Sequence, residues 1–338
     1  MQGKFIIVGE NIHCTRIRLT GGKFVEAMPD GGQALVFRDG TGKCLLPVPA
    51  DIVAGEEWTN GKVRHVAVAV RQGMRGNAAE SAAGRAYIQA MARDQEAGGA
   101  HFLDINIDEY SHDQAEKLAV IAWIAELVQE ASTLPLSIDS SNAEILEAGL
   151  KACNSARGKP LVNSVSLERA NFVPVAARAG AKVIAGATGA SSMPESVKDR
   201  MDNFSALMES LKDNGFIHDD IYLDPLVLPV SVDGTNGLKV IDTICACRKT
   251  WGDEIHFAPG LSNVSYGLPK RLLINQVFAY LCHTHGCDGG IVDPAQINDK
   301  VLAGIDTGSA AYKLASDLLC GLDEYGMEFI NAAREGNI

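Results

Sequence analysis

The sequence predicts an α/β protein: a (β/α)8 TIM barrel with a hairpin-containing insertion after the first strand. Short apolar runs alternate with longer amphipathic stretches along the 338 residues, a pattern typical of parallel strands joined by helical crossovers. We count eight runs of each kind, and eight strands close such a barrel. An open doubly wound sheet is the alternative, but no glycine-rich phosphate loop follows the first strand, which leads into Gly9-Glu10-Asn11-Ile12-His13.

The predicted strands show little polar alternation, as expected for buried parallel strands. They lie at residues 5–8, 102–107, 134–138, 161–162, 183–187, 221–223, 256–257 and 290–292. The amphipathic stretches predict helices, the fifth of which is opened by Pro194. They lie at residues 78–96, 114–130, 143–153, 168–179, 194–215, 238–249, 270–283 and 310–322.

A turn-rich stretch at about residues 14–77 separates the first strand from the first predicted helix. It contains Gly21-Gly22, Pro29-Asp30-Gly31-Gly32 and Asp39-Gly40-Thr41-Gly42, flanked by short β-prone runs. This composition predicts one or two hairpins inserted at the carboxyl face of the barrel. We therefore predict a single domain over residues 1–338 with an insertion at about 14–77.

Composition and charge exclude several classes of function. The formal net charge is −12 and no basic run occurs, so we expect no nucleic-acid partner. No apolar run approaches the length of about 18 residues that spans a membrane, and the N-terminus lacks the features of a signal peptide. Eight cysteines without zinc-site spacing favour reduced thiols in a cytoplasmic protein.

One stretch, Cys282-His283-Thr284-His285-Gly286-Cys287, contains residue types that bind metals. Four ligands so close in sequence, at the end of a helix, rarely surround one tetrahedral ion. We therefore expect no metal there and interpret the histidines as packing at a helix C-terminus, where their charge is favourable. His13 and Cys14 end the first strand and are weaker candidates for contact with a ligand.

Asp and Asn recur at the predicted carboxyl ends of the strands, where barrel enzymes build their sites. Any one of these residues could simply cap the helix that follows, but the whole set is suited to a flat polar heterocycle. A carboxylate accepts hydrogen bonds from an amino group and an adjacent ring N–H together, as a pterin presents them. The set is Glu10, Asn11, Asp104, Asn106, Asp139, Asn142, Asn163, Asp224, Asn263 and Asp293.

Several strings in this set resemble the pterin-binding methyltransferases. They are Leu103-Asp104-Ile105-Asn106, Ile138-Asp139-Ser140-Ser141-Asn142, Val162-Asn163-Ser164, Leu223-Asp224-Pro225-Leu226 and Gly260-Leu261-Ser262-Asn263-Val264-Ser265. That group includes methyltetrahydrofolate:corrinoid methyltransferases and the folate domain of cobalamin-dependent methionine synthase, and dihydropteroate synthase is a more distant relative. The resemblance covers about residues 78–300 and the first strand, and the last string is the most specific.

The resemblance implies a role for each matching residue. Asp224 matches the carboxylate that pairs with the pterin amino group and adjacent N–H, while Asp139 and Asn163 match residues on the other side of the ring. Asn263 matches the residue whose amide approaches N5, the atom that carries the methyl group. Three further residues are expected to line the same pterin pocket: Glu10, Asp104 and Asn106. We predict Asn263 and Asp139 as the catalytic residues.

The implied function is methyl transfer between N5 of tetrahydrofolate and the cobalt of a corrinoid, in a direction that the sequence leaves open. No Asp-x-His-x-x-Gly corrinoid motif occurs, so we expect the cobalamin on a separate corrinoid protein and, in addition, a homodimer. The alternatives are a dihydropteroate synthase-like enzyme, for which basic phosphate ligands are not evident, and a non-catalytic folate-binding protein. Asn11, where relatives often have Arg, and the insertion depart from the family pattern.

Overall fold

The protein is described by a computed structural model over residues 4–40 and 42–338. Its strands are β1 (Ile6–His13), β2 (Ile17–Leu19), β3 (Val25–Ala27), β4 (Gln33–Asp39), β5 (Gly42–Val48), β6 (Lys62–Arg64), β7 (Phe102–Asn106), β8 (Leu136–Asp139), β9 (Leu161–Val165), β10 (Lys182–Gly186), β11 (Ile221–Asp224), β12 (His256–Phe257) and β13 (Gly289–Val292). Its helices are α1 (Ala50–Val53), α2 (Glu56–Thr59), α3 (His65–Arg75), α4 (Ala78–Ala97), α5 (Gln114–Ala131), α6 (Ala143–Ala152), α7 (Phe172–Arg178), α8 (Val197–Asp213), α9 (Asn236–Trp251), α10 (Arg271–Thr284), α11 (Asp299–Ala303), α12 (Ala310–Leu319) and α13 (Met327–Glu335).

The predicted (β/α)8 fold class is confirmed. Among the described residues an eight-stranded sheet has the order β12-β11-β10-β9-β8-β7-β1-β13. Strands β7 to β12 therefore lie side by side in chain order, and β1 and β13 follow beyond β7. An isolated parallel bridge between Gly260 and Ile291 joins the segment after β12 to β13. The pattern of buried apolar runs separated by amphipathic helices therefore located the barrel strands correctly.

The chain divides into two compact units. The first contains the described part of Met1–Gly9, Gly98–His101 and Leu161–Ile338, and the second contains Glu10–Ala97 and Phe102–Pro160. In the first unit β10 pairs in parallel with β9 and β11, and the start of β1 pairs with β13. A Cβ on Gly289 would lie 2.6 Å from the backbone oxygens of Ile6 and Phe257, so this strand approach requires glycine.

In the second unit β7 pairs in parallel with β8, which places Asn106 opposite Asp139. Helix α3 packs closely on α4, because a Cβ on Gly84 would lie 2.5 Å from the backbone oxygen of Ala69. Helix α6 begins after Asn142, whose side chain accepts hydrogen bonds from two backbone N–H groups of its first turn. For Asn142, capping is therefore the role that the structure shows.

The hairpins predicted in the insertion are present: β3, β4 and β5 form an antiparallel sheet, and β2 pairs with β6. The same stretch also contains α1, α2 and the eleven-residue α3, which the turn-based interpretation missed. Helix α3 buries Val66, Ala69 and Val70, so part of the insertion belongs to the core of the second unit.

Two other element boundaries differ from the prediction. Pro194 does not open the fifth long helix; α8 begins at Val197, where Ser196 and Asp199 form a reciprocal capping box, a stronger start signal than a proline. Strand β1 continues to His13, so Glu10 and Asn11 lie within the strand and not after it.

Among the described helices, none has both the length and the apolar character needed to cross a membrane.

Candidate functional site

Asp224 is the last residue of β11, and its carboxylate holds the turn that follows. The backbone N–H of Leu226 donates to Asp224 Oδ1 at 2.9 Å. The φ angle of Leu226 is +61°, a left-handed conformation that costs a non-glycine residue roughly 1–2 kcal/mol. Within the described chain no other hydrogen bond to this carboxylate is found, so Oδ2 is available to a ligand.

Arg200 of α8 stabilises the same turn by hydrogen bonds to its backbone. This side chain is fully buried. Its Nε donates to the backbone oxygen of Pro225 at 2.7 Å, and its terminal nitrogens donate to the backbone oxygens of Ser196 and Leu226 at 3.2 and 3.4 Å. The guanidinium therefore binds carbonyls of the turn after Asp224 and of the residue that precedes α8, and it does not neutralise Asp224 by a direct ion pair.

Burial dominates the acidity of Asp224. Desolvation raises the pKa of this carboxyl to about 6, although the Leu226 N–H and the charge of Arg200 both act to lower it. A carboxylate held in so unfavourable an environment gains most from a ligand that donates hydrogen bonds to it. Asp224 is therefore poised for a partner with paired N–H donors.

Asn163 and Asn263 occupy different kinds of position in the same unit. Asn163 is half-buried within β9, opposite Ile184 of β10. Asn263 is exposed in the 3-10 turn Leu261–Ser265 that follows β12. The amide nitrogen of Asn263 lies 3.1 Å from where a Cβ on Gly260 would stand, so glycine leaves room for this amide. The exposed amide is reachable by a ligand.

In the second unit, the end of β1 meets β7 through a buried histidine–carboxylate pair. His13 Nε2 lies 2.7 Å from Asp104 Oδ2, and Asp104 is fully buried. A carboxylate accepts hydrogen bonds and cannot donate them when ionised, so the imidazole N–H is the donor. Asp104 and Asn106 thus both lie in β7, and Asp104 contacts His13 directly.

Asp139, at the end of β8, joins this pair. Asn106 Nδ2 donates to Asp139 Oδ2 at 2.9 Å. One nitrogen or oxygen atom from each of His13, Asp104 and Asp139 lies within 4.8 Å of the others. We call these four residues, His13, Asp104, Asn106 and Asp139, the His13 cluster. Three predicted site residues are therefore brought together here.

The groups of the His13 cluster perturb one another. Burial raises the pKa of Asp139, and the neighbouring charge of Asp104 raises it further, while His13 acts to lower it. Burial would lower the pKa of His13, but the hydrogen bond and charge of Asp104, with the charges of Asp139 and Glu10, outweigh it and raise the pKa. His13 and Asp139 therefore bind protons more tightly than the isolated side chains would.

Glu10 lies beside the cluster within β1. Its carboxylate forms an ion pair of 2.7 Å with Arg16, whose Nε also donates to the Glu10 backbone oxygen at 2.8 Å. Burial raises the pKa of Glu10, against the lowering effects of Arg16 and His13. Arg16 comes from the start of the insertion and anchors it to the first strand.

In the stretch from Cys282 to Cys287, both histidine rings hydrogen-bond to backbone oxygens. The ring Nδ1 of His283 donates to the backbone oxygen of Cys287 at 2.8 Å, and that of His285 donates to the backbone oxygen of Leu281 at 2.7 Å. Cys282 and Cys287 are buried free thiols. In the described residues, the His/Cys/Asp/Glu group with metal-ligand proximity is formed by His13, Asp104 and Asp139.

Arg200 was missed by the sequence analysis, and His13 was underrated. A signal for Arg200 existed, because it stands on the buried stripe of α8 with Phe204, Leu207 and Leu211 at helical spacing. An arginine on an apolar stripe indicates a buried structural or ligand contact. For His13 the signal was its position at a strand end, which became informative only once its partner in β7 was known.

Comparison with known proteins identifies the family. The family described as "Pterin binding enzyme" matches residues 80–293, which is more than half of the chain. The protein therefore belongs to the pterin-binding enzyme family.

Individual relatives indicate which enzymes of the pterin-binding family this chain is similar to in sequence. The chain is 30% identical over 259 residues to the methylcorrinoid:tetrahydrofolate methyltransferase of Eubacterium limosum, covering 75% of this chain and 89% of that protein. It is 28% identical over 222 residues to the methionine synthase of Mycobacterium tuberculosis, covering 61% of this chain and 18% of that much longer protein. Within the family, the chain groups with the methyltransferases.

Solved structures support the fold. The crystal structure of dihydropteroate synthase from Stenotrophomonas maltophilia superposes with a TM-score of 0.52 at 16% identity, covering 65% of this chain and 86% of that chain. A dihydropteroate synthase from Clostridium difficile superposes with a TM-score of 0.50 at 19% identity, covering 69% of this chain and 87% of that chain. At this identity the likeness concerns the fold alone.

Proposed function

We propose that the protein transfers a methyl group from a methylcorrinoid, carried by a separate protein, to N5 of tetrahydrofolate. The observation that carries the proposal is the half-buried Asp224 carboxylate, with one oxygen available and a raised pKa, in a chain related over most of its length to a methylcorrinoid:tetrahydrofolate methyltransferase. The direction rests on that relative. The same groups would serve the reverse reaction.

The chemistry demands a defined proton balance. The N5 lone pair forms a bond to the methyl carbon, the cobalt–carbon bond breaks, and its electron pair stays on the cobalt. N5 then carries one substituent too many and must lose its proton. The corrinoid supplies the reactive methyl group, so the protein has to orient the pterin, receive that proton and leave the methyl face open.

We assign pterin binding in the first unit to Asp224, Asn163 and Asn263. Asp224 would accept hydrogen bonds from the pterin amino group and adjacent N–H, which suits its second carboxylate oxygen. Asn163 would supply one donor and one acceptor to a mixed ring edge. Asn263, exposed in its turn, would place its amide against N5. Arg200 would act indirectly, by holding the turn after Asp224.

We assign the remaining pterin-contacting roles to Asp139, Asp104, Asn106 and Glu10. Asp139 is the proposed proton acceptor, because burial and the charge of Asp104 raise its pKa into a range useful for proton exchange at neutral pH. Asn106 orients the Asp139 carboxylate through their hydrogen bond of 2.9 Å. Glu10 and Asp104 are proposed as lining groups.

The central test is spectroscopic. The protein is mixed anaerobically with tetrahydrofolate and methylcobalamin, and the appearance of cob(I)alamin is followed by absorbance while methyltetrahydrofolate is measured by chromatography. We expect both products in equal amounts, and the reverse exchange from methyltetrahydrofolate and cob(I)alamin. Folate binding without exchange in either direction would leave a non-catalytic folate-binding protein. Formation of dihydropteroate from a dihydropterin diphosphate and aminobenzoate would favour a synthase.

The insertion offers a surface for protein partners. Leu19 of β2 is 68% exposed, and we propose that this part of the insertion contributes to docking of the corrinoid protein or to a homodimer. Replacement of the whole stretch is a poor test, since α3 belongs to the core. Leu19→Glu should instead weaken self-association in sedimentation velocity, or slow transfer from a protein-bound methylcorrinoid, without altering folate binding. Leu322→Glu, 75% exposed in the first unit, is the control.

We further propose that the protein works in the cytoplasm. All eight cysteines are free thiols, which is the state expected in a reducing compartment. Fractionation of the producing cells with an antibody to the protein would test this.

A further inference from the structure

We infer that His13, through its ion pair with Asp104, is a positioning residue for methyl transfer that fixes the protonation state of Asp139. The inference rests on the proposed function and on Asp139 as the proton acceptor. It begins from the geometry: a buried imidazole 2.7 Å from a fully buried carboxylate, with a second carboxylate within 4.8 Å of both.

The short distance favours a shared proton over a metal ion. Two ligands bonded to one zinc ion at about 2.0–2.1 Å in tetrahedral geometry lie about 3.3 Å apart. The His13 Nε2 and Asp104 Oδ2 atoms are closer than that, at 2.7 Å, a distance typical of a charge-assisted hydrogen bond. The Asp139 carboxylate is already engaged by the Asn106 amide at 2.9 Å. The cluster is therefore built to hold protons.

The carboxylates around His13 favour its cationic form. Asp104 contributes the direct hydrogen bond, and Asp139 and Glu10 contribute negative charge from β8 and β1. Arg16, paired with Glu10, is the nearby cation of this group, and Asp108 adds negative charge near Asp139. Together, Asp104, Asp139 and Glu10 raise the pKa of His13 against the opposing effect of burial, which favours the imidazolium over the neutral ring.

The imidazolium has a consequence for Asp139. With His13 charged, the Asp104 charge is balanced and its repulsion of the Asp139 carboxylate is reduced. Without that positive charge, Asp104 alone faces Asp139, and the pKa of Asp139 rises. Since Asp139 must be ionised to accept the proton from N5, His13 would determine the pH above which transfer is fast.

The test uses His13→Gln, which can still donate a hydrogen bond to Asp104 but carries no charge. The pH dependence of single-turnover methyl transfer from methylcobalamin to tetrahydrofolate is measured for this variant and for the wild type. We expect the limb on which the rate rises with pH to move upward by about one pH unit, the size of a neighbouring-charge effect. A profile that coincides with that of an equally folded wild type would overturn the inference.

His65→Gln is the matched control. His65 is also buried in the second unit, but its Nδ1 hydrogen-bonds to the Tyr87 hydroxyl at 2.9 Å. Burial and the charges of Arg18 and Arg16 lower the pKa of His65 to about 3. This variant should leave the pH profile unmoved. A shift equal to that of His13→Gln would show that loss of any buried histidine disturbs the unit, and would overturn the specific role of His13.

A second measurement needs no active variant. In the ligand-free wild type labelled with 15N-histidine, the resonance assigned through His13→Gln should titrate with a pKa above the usual histidine value, and Asp104→Asn should lower that pKa. A His13 pKa in the wild type at or below the usual histidine value would overturn the inference. So would one tightly bound divalent ion per chain, found by elemental analysis and lost in His13→Gln.

The outcomes separate this inference from the proposed function. If the wild type exchanges no methyl group in either direction, the proposed function fails and the role of His13 falls with it. If the wild type is active and the His13→Gln profile is unmoved, the inference alone fails.

Discussion

Two regions of the molecule hold carboxylates at or near strand ends, and the hydrogen-bond partners of those carboxylates differ between the two regions. At the end of β11, Asp224 has one backbone N–H donor, and the nearby Arg200 gives its hydrogen bonds to carbonyls. In the His13 cluster, Asp104 has a histidine partner and Asp139 an amide partner. A carboxylate without a strong partner is prepared for a ligand that supplies donors, whereas carboxylates linked to a titratable base are prepared to exchange a proton. The comparison predicts that Asp224 mainly binds the pterin and that Asp139 mainly accepts the proton.

The largest effect should come from Asp139→Asn. Removal of the proton acceptor should lower the rate of methyl transfer by about 100-fold or more, the lower range for general acid–base catalysis, while folate affinity falls much less, because the Asn side chain can keep a polar contact with the pterin. Stopped-flow absorbance of cob(I)alamin and calorimetric titration of tetrahydrofolate measure the two quantities. A variant that loses affinity and keeps its rate at saturation would break the division, because Asp139 would then be a binding group.

Asp224→Asn should show the opposite behaviour. Loss of a charge-assisted pair in a buried site costs about 1.5–3 kcal/mol, which corresponds to roughly 10- to 150-fold weaker tetrahydrofolate binding. Isothermal calorimetry measures it, with Asp202→Asn as the control, since Asp202 is an exposed carboxylate of α8 paired with Lys198. Equal affinity in Asp224→Asn and wild type would contradict the assignment of Asp224.

The same variant should stabilise the ligand-free protein in a pH-dependent way. Because the pKa of Asp224 is raised in the fold from 3.8 to about 6, its ionisation costs stability. The cost is absent below about pH 4, develops between pH 4 and 6, and is complete above that range. Asp224→Asn should therefore be more stable than wild type at pH 7 by at most about 3 kcal/mol, and equally stable at pH 3.5. Thermal denaturation at the two pH values checks this; a benefit of the same size at both would show that ionisation is not its cause.

The smallest effect should come from Asn263→Ala. An amide that approaches N5 strengthens its hydrogen bond as the charge on N5 changes, so its loss should reduce turnover about tenfold and binding less. Rates at saturating and sub-saturating folate separate the two effects. If turnover at saturation is unchanged, Asn263 only binds the pterin, and the first unit contributes affinity alone.

Much of the fold was predictable because local pattern and tertiary structure agree. Buried apolar runs such as that at β10 are typical of a parallel sheet that is covered on both faces. The helices between them follow the apolar period of their sequence. The turns after Asp30 and Asp39 likewise indicate the antiparallel sheet of the insertion. Helix α3 was not predicted. Its start has no side-chain cap, and the close contact that stabilises it depends on Gly84 of α4, a residue outside the helix itself.

The sequence by itself determined the residue types at the strand ends, and hence the family resemblance carried by Asp104, Asp139, Asn163, Asp224 and Asn263. Only the tertiary structure decided what each carboxylate meets. His13 and Asp104 are 91 positions apart in the chain and 2.7 Å apart in space, and Arg200 reaches the turn after Asp224 from a helix 24 residues earlier. Hydrogen bonds and charge effects act through distances of a few ångströms. These contacts can therefore be identified only from the folded structure, which brings together elements that are remote in sequence.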